Sequence, residues 1–141
     1  MMVLVLFVSG CTTSAPADTT NVAGLKVSDG ATSKTFTVED LKALPETQAG
    51  FKDVTYIGIK MTDLLTEAGY DPKTVKVIKA VATDGFSVNY DPALFQRGDV
   101  IVAYQTIDGA LATEDGSFRM VLPGEEGKLN VRMLEEIQVS Q

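Results

Sequence analysis

The chain has 141 residues, 45% of them hydrophobic, with a net charge of −7 and a pI near 4.5. That is chain enough for one domain with a single core, and its acidity argues against a polyanionic partner such as nucleic acid. One cysteine, Cys11, and no histidine exclude an intramolecular disulfide, a Cys/His zinc site and any hydrolase whose base is imidazole.

Met2–Val8 is a short apolar run that ends in Val8-Ser9-Gly10-Cys11. It resembles a bacterial lipobox, in which small residues precede a cysteine that is lipidated and becomes residue one. The run is too short to span a bilayer as a helix. No Lys or Arg precedes it, although signal peptides normally open with positive charge, so a start upstream of Met1 stays open. The competing reading is a buried N-terminal strand with an incidental cysteine. The expected organisation is a lipoprotein signal peptide over 1–10, a flexible tether over 11–22 and a folded domain over 23–141. The small polar stretch Thr12–Asn21 suits a tether. Acyl chains on Cys11 would hold the domain at the cell membrane, on its extracytoplasmic face, because each buried methylene contributes about 0.8 kcal/mol.

Leu25-Lys26-Val27 and Lys34–Phe36 read as two short strands around the Asp29-Gly30 turn. Thr37 with Asp40 three positions on spells a capping box for a helix whose inner face is Val38, Leu41 and Leu44 and whose stop is Pro45. Gly50–Tyr56 reads as one strand. In Tyr56–Tyr70, the best-formed local element, Met61, Leu64, Leu65 and Ala68 fall at i, i+3, i+4 and i+7 of a helix. Thr62 is its expected N-cap, Gly69 suits the left-handed position after it, and Pro72 forbids continuation. Val75–Ala82 is β-branched and strand-like, and Phe86, Val88 and Tyr90 alternate with polar residues beyond Asp84-Gly85. Asp91-Pro92 predicts a cap and a single helical turn through Phe95. Val100–Tyr104, a continuous apolar run, is expected at the centre of a sheet. Phe118, Met120 and Leu122 alternate again, and Val131–Met133 and Ile137–Val139 give two last strands. The fold class is α+β: a strand-dominated, mixed, barrel-like sheet domain with two or three short helices.

Four Asp-Gly pairs, at Asp29, Asp84, Asp108 and Asp115, are explained by turns, since calcium loops need several oxygen ligands at fixed spacing. Arg97-Gly98-Asp99 spells an adhesion tripeptide but reads more simply as a polar turn. Arg119, Lys128 and Arg132 bracket Pro123-Gly124-Glu125-Glu126-Gly127. Backbone amides of such a loop, together with guanidinium groups, hold anions such as phosphate. Glu125 and Glu126 oppose that, and on spacing alone salt bridges among these acids and bases are slightly the better account.

The chain also resembles, over nearly all of 25–139, the molybdopterin-binding domain of sulfite-oxidase-type oxidoreductases. Thr35–Pro45 (TFTVEDLKALP) is similar to the family's opening strand and helix. Tyr56–Gly69 is similar to its W-x-G-V-x-L-x-D-L-L-x-x-A-G segment, with Tyr56 for Trp. Ala82–Phe86 (ATDGF), Val100–Leu111 (VIVAYQTIDGAL) and Arg119–Leu134 (RMVLPGEEGKLNVRML) follow in the family's order. The resemblance implies a β-rich α+β fold in which a cysteine thiolate, placed between the first helix and the next strand, ligates molybdenum beside the pterin dithiolene. Here that interval is Glu46–Thr55 (ETQAGFKDVT), which is short and has no cysteine. Asp53 would be a poor substitute for a soft thiolate. The family's pterin-contacting Arg is Leu129, its Lys is Arg132, its Trp is Met133, and its histidines have no counterpart.

By resemblance the cofactor-site candidates are Asp84, Arg119, Gly124, Gly127, Val131 and Arg132, with Cys11 for lipidation. No catalytic residue, metal or cofactor is expected. The reading favoured is a membrane-anchored, non-catalytic module that binds a small anion, a pterin-like ligand or a protein, because scaffolds outlive their chemistry. The alternatives are a molybdopterin-dependent oxidoreductase of the sulfite oxidase type and an assembly or adhesion lipoprotein. Convergence of Asp84, Arg119 and Arg132 on one cleft would favour a ligand; scatter would favour assembly.

Overall fold

Two five-stranded sheets and three short helices share one core in a computed structural model that describes residues 23–141. The expected signal peptide, tether and lipidation site, Cys11, lie outside the described residues. In chain order the elements are β1 (Leu25–Ser28), β2 (Ser33–Phe36), α1 (Val38–Lys42), β3 (Thr47–Phe51), β4 (Val54–Lys60), α2 (Met61–Glu67) and β5 (Val77–Ala82). They continue as β6 (Ser87–Tyr90), α3 (Pro92–Phe95), β7 (Ile101–Thr106), β8 (Gly109–Ala110), β9 (Arg119–Val121) and β10 (Leu134–Ser140), with single 3-10 turns at Thr113–Asp115 and Gly127–Leu129. Among the described residues no helix is long and apolar enough to cross a membrane.

The first sheet runs β2-β1-β10-β5-β6 and is antiparallel except where β1 pairs β10 in parallel. The second runs β3-β4-β7-β8, and β9 also pairs β7. Leu25, Val27, Ile78, Ala80, Ile137 and Val139 of the first sheet meet Ile59, Val102 and Met120 of the second in the main core. The opposite face of the second sheet closes over a smaller cluster of Ala49, Tyr56, Ile101, Ala103 and Val121. Strand β7 is therefore covered on both faces over Ile101–Tyr104, which is why that run is continuously apolar rather than alternating.

The caps read for α1 and α3 are realised, though α1 ends at Lys42, so Leu44 of its expected inner face lies beyond the helix and packs half-buried against the core. Thr37 and Asp40 form the reciprocal capping box, and Asp91 accepts from Leu94 N ahead of Pro92 at the first helical position. Helix α2 buries Met61, Leu64 and Leu65 completely, worth roughly 1.5–3 kcal/mol for each side chain. Its N-terminus corrects the sequence reading: Lys60, not Thr62, is the N-cap, and it offers no side-chain bond. The helix follows β4 without a loop, which places Thr62 inside its first turn, and the Met61 amide donates to Val100 O at 3.0 Å. Gly69 takes the left-handed position, with φ +97.

Two strand expectations are also corrected. Gly50–Tyr56 is not one strand but the tip of the β3–β4 hairpin, which turns at Lys52–Asp53 with Lys52 at φ +53. Val131–Met133 is not a strand, because Met133 sits at φ +52 and breaks extension before β10. The glycines of all four Asp-Gly pairs have positive φ, as turns require.

Candidate functional site

Alternation along β9 sets the site. Phe118, Met120 and Leu122 point into the main core, and Arg119 and Val121 point to the other side. Arg119 is 4% exposed, and its guanidinium is spoken for. It donates to Asp115 Oδ1 at 2.7 Å and to the Tyr56 hydroxyl at 2.9 Å. Its Cζ lies 4.5 Å from the centre of the Tyr56 ring and 5.7 Å from that of Phe51, within the range of cation–π attraction. Asp115, equally buried, spends its carbonyl on the Met133 amide at 2.8 Å. Hairpin tip, 3-10 turn, β9 and the turn into β10 are thus tied around one buried ion pair.

Two adjoining clefts open beside this knot. The first, about 540 Å³, is lined by Asp84, Phe86, Lys128, Val131 and Met133. The second, about 380 Å³, is lined by Phe51, Lys52, Tyr56, Asp115 and Arg119. Glu114, Gly127, Asn130 and Arg132 belong to both.

Of the residues singled out by sequence, Asp84, Gly127, Val131 and Arg132 line the first cleft, and Arg119, Gly127 and Arg132 line the second. Gly124 lines neither and turns the loop at φ +80. Asp84 closes its own turn by accepting from Phe86 N at 3.0 Å. The acids of the loop are discharged locally: Glu125 on Arg97 at 2.7 Å and Glu126 on Lys128 at 3.0 Å. The salt-bridge account of this stretch therefore holds for Glu126 with Lys128 alone; Glu125 pairs with Arg97 from outside it, and Arg119 with Asp115. Arg132 is exposed and forms no ion pair among the described residues.

Sequence reasoning missed Phe51, Lys52, Asp115 and Asn130. Asn130 is 2% exposed; its Oδ1 accepts from Leu122 N, and its Nδ2 donates to Glu126 O at 3.0 Å, which latches the glycine loop. Nothing local marks it. Asp115 reads as a turn residue, which it also is.

Electrostatically the second cleft is the more cationic. The Arg119 and Asp115 charges cancel, leaving Lys52 and Arg132 against Glu114 in a molecule of net charge −7. The first cleft sets Lys128 and Arg132 against Asp84 and Glu114.

Residues 31–141 match the family described as the oxidoreductase molybdopterin binding domain. The chain belongs to that family. It is similar to mitochondrial sulfite oxidase of Drosophila melanogaster, 27% identical over 153 residues that cover 82% of this chain and 27% of that protein. Its fold is shared with the sulfane dehydrogenase SoxCD of Paracoccus pantotrophus, at TM-score 0.70 and 22% identity, over 83% of this chain and 38% of that one. The chain thus spans well under half the length of either relative.

The donor set does not fit a thiolate-held molybdenum. The ligand cysteine implied by the family resemblance would come from Glu46–Thr55, and that interval is β3 and a tight turn carrying Lys52 and Asp53. The chain's one cysteine is Cys11, and it has no histidine. Molybdenum favours soft sulfur, and the groups at the tip are an ammonium and a hard carboxylate.

Proposed function

We propose that this chain is a membrane-anchored, extracytoplasmic module that keeps the molybdopterin-binding fold, performs no redox chemistry and binds a small anion in the cleft of Lys52 and Arg132. The observation that carries the reading is the β3–β4 hairpin, whose turn at Lys52–Asp53 occupies the stretch where the ligand thiolate is expected. A cofactor's position and electronics depend on the protein groups around it, and here the decisive sulfur is missing.

The anion part rests on the charge balance of the second cleft and on the discharge of Glu125 and Glu126 away from it. Asp84 and Arg119 line different clefts, and only Arg132 is common to both. The three therefore do not converge on one cleft, and the ligand reading rests on the charge balance alone. The anchoring part rests on the lipobox-like Val8–Cys11. A redox role akin to that of sulfite oxidase draws on family membership alone.

Three assays test the proposal. The purified chain, given sulfite and a one-electron acceptor, is expected to show no turnover above buffer. Inorganic phosphate is expected to bind, and Arg132→Ala to weaken it about tenfold, the scale of one charge-assisted contact. Cys11→Ser should move the protein from the membrane to the soluble fraction. Sulfite turnover would overturn the non-catalytic reading, an unchanged phosphate affinity in Arg132→Ala the placement of the anion, and a membrane-bound Cys11→Ser the anchor.

A further inference from the structure

The loop that borders both clefts is held from three sides. Asn130 bonds Leu122 and Glu126 from beneath. Tyr90, fully buried on β6, donates its hydroxyl to Leu129 O. The third hold comes from outside the core. Arg97, in the turn after α3, donates Nη1 to Glu125 Oε1 and Nη2 to Pro123 O, both at 2.7 Å. Its Nε and Nη2 also grip the two carboxylate oxygens of Asp99, each at 2.9 Å. The Arg97-Gly98-Asp99 tripeptide is thus a preset fork: Asp99 orients the guanidinium, and the guanidinium seizes the glycine loop.

Two consequences follow for the anion cleft. The Pro123 carbonyl is pinned just before Gly124, whose φ of +80 starts the turn towards Gly127 at the cleft wall. The negative charge of Glu125 is neutralised away from Arg132. Without Arg97, a free carboxylate would stand two residues from Gly127 and oppose any anion there. We infer that Arg97 is a positioning residue for the anion cleft, acting through the loop by geometry and by neutralising Glu125. A lysine cannot replace it, since one ammonium lacks the rigid planar fork that serves two carboxylates and a carbonyl together. The inference rests on the anion reading of the cleft.

The test is titration of the full chain with inorganic phosphate, by calorimetry at low salt, on wild type, Arg97→Ala, Arg97→Lys, Glu125→Gln and the Arg97→Ala/Glu125→Gln double variant. Arg97→Ala is expected to weaken binding about tenfold and Arg97→Lys nearly as much. The double variant should recover part of the loss, which mere loosening of the fold would not allow. Glu125→Gln keeps the fork on Pro123 and Asp99 and should bind as well as wild type or better. It decides the matter if Arg97→Ala does not fold, because weaker binding by Glu125→Gln would overturn the charge argument. Equal affinity in wild type and Arg97→Ala would overturn the role of Arg97 and leave the anion cleft standing. No binding by wild type would remove the anion reading itself, and this inference with it.

Discussion

The Cζ of Phe51 stands 4.0 Å from where a β-carbon on Gly127 would lie, so the tip of the β3–β4 hairpin meets the glycine loop across the second cleft. This is ordinary van der Waals distance. Gly127→Ala should therefore keep stability within about 0.5 kcal/mol, as surface substitutions do. Gly58→Ala should behave oppositely. A β-carbon there would lie 1.9 Å from Val102 O, at the irregularity between β4 and β7. It is expected to cost at least the ~1–3 kcal/mol of an overpacked core, or to prevent folding. Urea denaturation of the two variants separates these outcomes.

Removing one half of the Asp115–Arg119 pair should cost more than removing both. Asp115→Ala leaves a guanidinium buried with only the Tyr56 hydroxyl and the Met120 carbonyl, and should destabilise by ~3–5 kcal/mol. Asp115→Leu/Arg119→Met removes both charges and should cost less than either Asp115→Ala or Arg119→Met alone. Denaturation midpoints of the three proteins check it; a double variant worse than both singles would refute it.

Tyr90→Phe should destabilise by ~0.5–1.5 kcal/mol, because the half-buried Leu129 O loses the hydroxyl that bonds it. Burial pushes the Tyr90 hydroxyl well above its ordinary pKa, so it remains a donor far into the alkaline range. Amide exchange should quicken in the glycine loop around Leu129.

Acid should weaken the fold through carboxylates held below their ordinary range. Asp99 is lowered by its bonds from Arg97, and Glu136 chiefly by the Ser28 hydroxyl, with a lesser contribution from Lys26. A lowered folded-state pKa gives stability that is complete above the unfolded value, roughly pH 4–5, and is lost as pH falls through the folded value. Stability should thus be flat above about pH 5 and fall below about pH 4. Asp99→Asn should make that fall shallower, as read from urea midpoints across the range.

What the sequence discloses is what local chemistry decides. The capping box of Thr37 and Asp40, the Asp91-Pro92 cap, the apolar stripe of α2 and the apolar run of β7 need no distant partner to be recognised. The β3–β4 turn escapes because Lys52-Asp53 lacks the Asn-Gly or Asp-Gly of a favoured hairpin loop, and Phe51, Val54 and Tyr56 mimic one strand. Met133 breaks its strand through a positive φ that its residue type does not advertise. At the site, Arg132 and Gly127 are legible as a cation beside a glycine loop. The roles of Arg119, Asn130 and Arg97 depend on partners brought near by folding: Tyr56 and Asp115, the Leu122 backbone, and Glu125. Thr62 fails as a cap because α2 runs straight on from β4 and already holds Thr62 in its first turn.

The most direct test of the central claim is the metal and pterin content of the full-length chain, purified from a molybdenum-replete host that makes the cofactor. Elemental analysis should find molybdenum far below stoichiometric, and oxidised extracts should lack pterin fluorescence, because the hairpin at Lys52–Asp53 offers no sulfur ligand. Stoichiometric molybdenum with matching pterin would contradict the account.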